Sequence, residues 1–166
     1  MDSVTSIQSA ATGAADAEGG DVMAIVDIDV GAGAGTFEAA LRDPQGNPAG
    51  SASVIQVSDP WSVECTWRVN GLIALFSGTW RIQVLLEGMG GAAGEFQRTE
   101  NVPMVANQVT PYTRNVAFAP NSINLGAEDS MSFHVTAVLT ARTAANAPLP
   151  VAALVDLGVV QIFRFP

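Results

Sequence analysis

The sequence has no lysine, one cysteine, one histidine and few charged residues of any kind. Charged side chains make up 14 % of its 166 residues, and 16 acidic groups against seven arginines give a net charge of −9. Nonspecific nucleic-acid binding requires dense positive charge, and binding to an acidic membrane surface requires a basic face. We therefore expect neither nucleic acid nor a membrane among the partners of this protein.

The single cysteine, Cys65, excludes an intrachain disulfide framework and any zinc or iron–sulfur site built from several cysteines. A phosphate-binding P-loop is excluded because it requires a lysine. The N-terminal residues show no basic stretch followed by an apolar run, so a conventional secretory signal is lacking. No uncharged apolar run reaches the roughly 18 residues of a membrane-spanning helix. These absences predict a cytoplasmic protein, with export by a signal-free route left open.

Hydrophobic residues make up 48 % of the chain and the mean hydropathy is +0.29, which excludes a disordered or collagen-like protein. Residues 1–20 are rich in alanine, glycine, serine and acidic residues without periodicity, which predicts a flexible acidic N-terminal arm. The remainder, residues 21–166, has the size of one domain and shows no internal repeat.

Apolar and polar residues alternate with a period of two along most of this domain. The clearest case runs from Trp61 to Asn70, and the same pattern recurs at 22–30, 79–87 and 131–140. Further candidate strands span 36–42, 52–57, 94–99, 109–118 and 151–165, with turn-forming residues between them and a split of the last strand at Gly158 left open. The pattern predicts an all-β fold, a single antiparallel β-sandwich of eight or nine strands. The predicted core residues are Val63, Cys65, Trp67, Trp80, Ile82, Val84, Phe133 and Val135.

Two segments carry a resemblance to known architectures. The stretch from Phe37 to Gly50, followed by Ser51 to Val57, is similar to hairpins in immunoglobulin-like and prealbumin-like sandwiches. The stretch from Gly78 to Glu87 looks like a central strand pair of such modules. The resemblance implies this architecture and no particular activity or cofactor.

Near the N-terminus, a nucleotide-binding site is the most specific alternative to a simple connection between strands. Gly31, Gly33 and Gly35 follow an apolar strand, and the run from Thr36 to Asp43 is compatible with a short helix. The glycine spacing is G-x-G-x-G rather than G-x-G-x-x-G, and the run is too short to cross over a parallel sheet. The spacing therefore favours a connection between strands.

Three carboxylates near the start of the domain form a weak candidate calcium patch. Asp27 and Asp29 are two residues apart on a predicted strand and point the same way, and Asp21 lies just before it. Calcium requires six to eight oxygens from converging loops, whereas a strand presents its side chains in a flat row. A solvated acidic face is the favoured interpretation, and no metal or cofactor is predicted.

The residues that could perform catalysis are scattered. The period places His134 on a polar face and Cys65 on an apolar one, so the two cannot form a nucleophile and base pair. Glu87 and Glu95 flank a glycine-rich turn and could approach each other across a hairpin, as a glycoside hydrolase requires. Such an enzyme also needs exposed aromatic residues to line its substrate groove, whereas the alternation of apolar and polar residues places the tryptophans in the core. We expect a protein that is not an enzyme.

The 151–165 region has apolar residues on both faces of its predicted strand. Its outer face carries four candidate interface residues, Leu154, Val160, Ile162 and Arg164. An apolar outer face in a soluble protein is either covered by the fold or used for pairing with another chain. The predicted function is therefore a structural or adaptor module that contacts a protein partner or a second copy of itself. The alternative is a module that binds carbohydrate or calcium with loops at one end of the sandwich.

Overall fold

The computed structural model describes residues 24–29, 34–45, 53–90, 94–108 and 110–165, and the predicted arm at 1–20 lies outside these ranges. Nine strands and one short 3-10 helix, Gly71–Leu75, are found in the described ranges. The strands are β1 (Ala24–Asp29), β2 (Ala34–Arg42), β3 (Ser53–Gln56), β4 (Trp61–Val69), β5 (Gly78–Gly88), β6 (Glu95–Pro103), β7 (Tyr112–Phe118), β8 (Ser130–Thr143) and β9 (Pro148–Phe163).

The strands form two sheets, which confirms the prediction of an all-β protein. Sheet A has the order β1-β2-β4-β7, and sheet B has the order β3-β9-β8-β5-β6. The expectation of purely antiparallel pairing is wrong for sheet B, because β3 runs parallel to β9 with Ser53 opposite Val160. Sheet B is therefore mixed, and it curls into half a barrel.

The predicted hairpin between 37 and 57 does not form. Strand β2 lies between β1 and β4 in sheet A, whereas β3 pairs with β9 in sheet B. Both edges of β2 are already paired, so the chain after Arg42 crosses to the other sheet. By contrast, the stretch from Gly78 to Glu87 lies in the interior of a sheet, between β8 and β6, but it forms the single strand β5 and not a strand pair.

The period of two correctly identifies the core. Along β4 the odd-numbered residues from Trp61 to Val69 are buried, and the even-numbered ones are not. All eight predicted core residues are at most 1 % exposed. They belong to one cluster to which both sheets contribute. Alternation succeeds here because each strand has one face on this shared core and one face toward solvent.

Strand β9 breaks this alternation at Gly158. In its pairing with β8, Thr136 lies opposite Asp156 while Val135 lies opposite Gly158, so Leu157 is an extra residue. Such a β-bulge moves every later residue to the opposite face. Gly158 has a φ of 77°, a conformation that glycine adopts without strain.

The bulge overturns the prediction of an outer face at Val160 and Ile162. These side chains are 0 % and 1 % exposed, and they lie in the core. Leu154, before the bulge, is 55 % exposed as expected, and Arg164, just after the strand, is also exposed. The two apolar faces inferred from the sequence are one core face that changes sides along the strand.

The glycine-rich segment is followed by a strand rather than a helix. Residues Ala34–Arg42 form β2, which pairs antiparallel with β1. A dinucleotide fold would need a helix here and a parallel neighbour for β1. Gly31 and Gly33 lie outside the described residues, and Gly35 belongs to β2 itself.

Candidate functional site

Two connections between the sheets meet at one end of the fold, and we call this region the loop end. It comprises residues 70–77, which join β4 to β5, and residues 104–108, which belong to the connection from β6 to β7. Backbone hydrogen bonds tie the two segments to each other and to β5. Asn107 N donates to Ala74 O at 2.8 Å, and Met104 N donates to Gly78 O at 3.0 Å.

Tyr112, the first residue of β7, holds the backbone of the loop end through its side chain. Its hydroxyl accepts a hydrogen bond from Val105 N at 2.8 Å and donates one to Val105 O at 3.2 Å. The ring of Tyr112 is buried and stacks on Trp67 with the centroids 5.1 Å apart. The aromatic core thus fixes the backbone at Val105, and the loop end has a defined shape.

Among the side chains that the structure describes at the loop end, three large apolar ones are exposed. Leu75 is 57 % exposed, Phe76 is 47 % exposed and Val105 is 55 % exposed. Phe76 and Val105 line the same small crevice, so they lie side by side. Single exposed apolar residues are common on protein surfaces, but a group of them on adjoining loops is typical of a contact surface.

No charged residue lies in either stretch of sequence that forms this end. From Val69 to Trp80 and from Asn101 to Thr113 the chain contains no Asp, Glu, Lys, Arg or His. This composition contrasts with the net charge of −9 for the whole protein. The lack of charge in these two stretches is the feature of the sequence that marks this end. Hydrophobic periodicity did not reveal it, because loops have no regular alternation of apolar and polar residues.

The crevice between Phe76 and Val105 is small. It offers about 10 Å³, roughly the space for one water molecule, and it reaches Trp80 and Tyr112 on its inner side. This volume does not accommodate a sugar ring. The tryptophans themselves are buried, as predicted, and form no carbohydrate platform.

The calcium candidates are described only in part. Asp27 and Asp29 occupy alternate positions of β1, but the side chains of this strand lie outside what the structure describes, and so does all of Asp21. Within the described residues, no group of three or more His, Cys, Asp or Glu side chains is arranged to hold a metal ion.

The side chains of His134 and Asp156 contact each other on the outer face of sheet B. His134 Nε2 lies 2.9 Å from Asp156 Oδ1, which also accepts a hydrogen bond from Gly158 N at 2.8 Å. The hydrogen bond from the Gly158 amide holds the pKa of Asp156 below its ordinary value; burial opposes this effect, and His134 lowers the pKa by smaller contributions. The carboxylate therefore joins β8 to the bulge in β9.

Cys65 is buried in the core of sheet A, far from the outer face that carries His134. Burial, with a smaller contribution from the nearby carboxylate of Glu64, raises the pKa of its thiol to about 12. The prediction that these two residues point to different sides is confirmed. The thiol stays protonated at neutral pH and is a poor nucleophile.

Glu87 and Glu95 do come together, as the sequence allowed. They lie directly opposite each other in the β5–β6 ladder, and both are exposed. The aromatic ring beside them is the partly buried Phe96, which packs edge-on against Phe133 in the core. The tryptophans that would line a sugar-binding groove are elsewhere and buried.

No protein-family model, curated protein or solved structure significantly matches this chain. In the part of the chain that the structure describes, no helix is long and apolar enough to cross a membrane.

Proposed function

We propose that this protein is a non-enzymatic structural module, a β-sandwich that assembles with further copies of itself through its loop end. The observation that carries the proposal is the group of half-exposed apolar side chains at this end, Leu75, Phe76 and Val105. Their backbone is held by hydrogen bonds to Tyr112 and between the two loops, so a partner meets a preformed surface. A preformed surface loses little conformational entropy on binding.

Charge does not oppose a second copy as the occupant. Residues 44–166 carry eight acidic residues against six arginines, so little of the net charge of −9 lies on this part of the chain to repel a second copy. The loop end is free of charged residues, so contact there avoids placing like charges together. Burying its apolar side chains contributes about 25 cal/mol per Å² of apolar area, and a stable interface buries at least about 1,000 Å² in total.

Two features of the reactive side chains support a role other than catalysis. The thiol of Cys65 is buried and its pKa is raised to about 12. The carboxylate of Asp156 is already engaged by Gly158 N and His134. The alternative role, binding carbohydrate at the loops, is not favoured at the loop end because its crevice has room for about one water molecule.

The test is the sedimentation of the full chain over a range of concentrations from about 1 to 100 µM, which brackets a micromolar association. We expect the average mass to rise with concentration for the native protein. Phe76→Ser combined with Val105→Ser is expected to abolish this rise. The matched control is Leu154→Ser, which removes an equally exposed apolar residue from the outer face of sheet B and leaves the loop end intact.

Three results would contradict the proposal. One is a native protein that remains monomeric throughout the concentration range. Another is association that persists unchanged in the Phe76 and Val105 double variant. The third is an equal loss of association in the Leu154→Ser control, which would assign the interface to sheet B. Circular dichroism of each variant verifies that its fold is retained.

A further inference from the structure

Strand β9 bows away from β8 near its start and leaves a hollow between them. Thr140 lies opposite Ala152 and Arg142 lies opposite Pro148. Three residues of β9, 149–151, therefore lie opposite a single residue of β8, Ala141. Pro148 and Pro150 have no backbone N–H to donate, which explains why the regular ladder is interrupted here. The hollow has a volume of about 430 Å³.

The hollow is lined by two arginines and no acidic residue. Arg81 and Arg142 line it together with Gln83, Thr140, the segment from Pro148 to Pro150, and Ala152. Arg81 is paired with Thr140 in the β5–β8 ladder, so Arg142 is its diagonal neighbour on the same face. Long side chains of diagonal neighbours are within reach of each other, so the two guanidinium groups share one region, and an anion bound there reduces their mutual repulsion.

Arg142 is held in place with part of its guanidinium unused. Its Nη1 donates to Asn146 O at 3.1 Å and to Asn146 Oδ1 at 3.3 Å, in the turn that joins β8 to β9. Within the described residues, Nη2 and Nε of Arg142 make no hydrogen bond, and neither does the guanidinium of Arg81. A guanidinium carries five N–H donors, so both side chains retain donors for a ligand.

The acidic residues nearest in the sheet are engaged elsewhere. On β9, Asp156 is bound to His134 and to Gly158 N. On β6, Glu100 pairs with Arg114 at 3.0 Å and belongs to the opposite face, because its ladder partner Ile82 is in the core. The remaining acid on this face of β5, Glu87, is six residues from Arg81, near the other end of the strand. The hollow is therefore a positive site on an acidic protein.

We propose that this hollow binds a carboxylate presented by an acidic peptide segment. A carboxylate accepts paired hydrogen bonds from the fork of an arginine side chain, and it relieves the repulsion between the two guanidinium groups. Leu149 and its flanking prolines form an apolar wall that suits the side chain next to the acidic residue. The amide of Gln83 is available for the peptide backbone. This site lies on sheet B and does not depend on assembly through the loop end.

The test is a titration of the isotope-labelled full chain with the blocked pentapeptide Ala-Glu-Leu-Glu-Ala, followed by amide chemical shifts in NMR. We expect saturable shifts at Arg81, Thr140 and Ala152. Arg81→Gln is expected to weaken binding by at least about tenfold, because it removes the charge-assisted hydrogen bonds to the carboxylate. The matched control is Arg98→Gln, which removes an exposed arginine from β6 in the same sheet and is expected to leave the affinity unchanged.

Other outcomes overturn the proposal. Equal binding of the pentapeptide Ala-Gln-Leu-Gln-Ala shows that the carboxylate is not recognised. Unchanged affinity in Arg81→Gln, or a loss equal to it in Arg98→Gln, shows that the hollow is not the site. Inorganic phosphate that binds as tightly as the acidic peptide reveals a site for small free anions instead of a peptide. The spectrum of free Arg81→Gln verifies that the variant is folded.

Discussion

The indole rings of Trp67 and Trp80 meet edge to face across the two sheets, with their centroids 6.2 Å apart and their planes at 70°. Tyr112 completes the group, stacked on Trp67 and edge-on to Trp80. Both indole Nε1 atoms are buried, and neither has a hydrogen-bond partner in the described part of the chain. An unpaired buried N–H is unfavourable. The group contributes to stability through the apolar contacts of its rings.

The first prediction concerns this aromatic group. Trp67→Ala removes a fully buried ring from the contact between the sheets, and we expect a loss of about 3–5 kcal/mol in the free energy of unfolding. Thr66→Ala, on the solvent side of the same strand, is expected to cost under about 1 kcal/mol. Urea denaturation of both variants provides the measurement. Equal small losses would mean that the inward face of β4 has been assigned wrongly.

The comparison of β4 with β9 shows how far alternation predicts this fold. In β4 every residue from Trp61 to Val69 lies on the face that its parity assigns, because the ladder with β2 and β7 is regular. In β9 the same rule fails beyond Gly158, since one extra residue reverses the parity. The sequence of β9 does carry a trace of the bulge, because its buried apolar residues occupy odd positions up to Leu157 and even positions from Val160, with Gly158 between them.

The loop end and the partner of β3 could not be predicted by the same reasoning. The parallel pairing of β3 with β9 joins segments about a hundred residues apart, and the turn residues after Arg42 are equally compatible with a hairpin. Phe76 and Val105 come together because two connections cross between the sheets at one end. Only the absence of charge in these stretches was visible in the sequence.

Cys65 is expected to be unreactive in the native protein. Its thiol is buried and its pKa is raised to about 12, so very little thiolate is present at pH 8. A disulfide reagent such as Ellman's reagent should label it at the rate of unfolding, and immediately in concentrated urea. Rapid labelling without denaturant would show that the core of sheet A opens locally.

The hydrogen bond from Gly158 N to Asp156, with the contact of His134, predicts a dependence of stability on pH. The folded-state pKa of Asp156 lies below its ordinary value. The ionised carboxylate therefore makes its full contribution to the free energy of unfolding above about pH 4, the ordinary carboxyl pKa. The contribution is lost as the pH falls through the lowered value. We expect Asp156→Asn to be less stable than the native protein at pH 7, by under about 1 kcal/mol because the carboxylate is exposed.

Thermal unfolding of both proteins between pH 7 and pH 2 tests this dependence, and the difference between them should vanish at the acidic end. Glu87 lies opposite His134 in the β5–β8 ladder on the same face. Glu87→Gln therefore serves as the control that removes a neighbouring acid and leaves the hydrogen bonds of Asp156 in place. A difference for Asp156→Asn that persists or increases toward pH 2 would contradict the prediction.

Gly158→Ala tests the backbone conformation at the bulge. A Cβ added there meets no atom within 4 Å, so the cost comes from the φ of 77° alone. We expect a loss of about 1–2 kcal/mol in the free energy of unfolding. Gly94→Ala is the control, because its added Cβ is equally free and its φ is not in the left-handed region. If both variants unfold at the same urea concentration, Gly158 is not held in the left-handed conformation in solution.

Deletion of Gly158 makes the last prediction, and it tests the assignment of the bulge itself. Without this residue, Leu157 takes the place opposite Val135, while Asp156 stays opposite Thr136 and Val159 stays opposite His134. Every remaining side chain of β9 keeps its face, including the buried Val160. We therefore expect a folded protein with a cooperative thermal transition and dispersed NMR signals, because the deletion converts the bulge into a regular ladder.

Deletion of Val138 from the middle of β8 is the control. Strand β8 pairs with β5 in an unbroken register from Gly78 to Gly88, so the loss of this residue shifts one half of β8 by one position. The shift turns a fully buried side chain, Ala137 or Leu139, away from the core. We expect this variant to lose its cooperative transition. If deleting Gly158 is at least as damaging as deleting Val138, β9 does not change faces by a single extra residue, and the assignment of Val160 and Ile162 to the core fails with it.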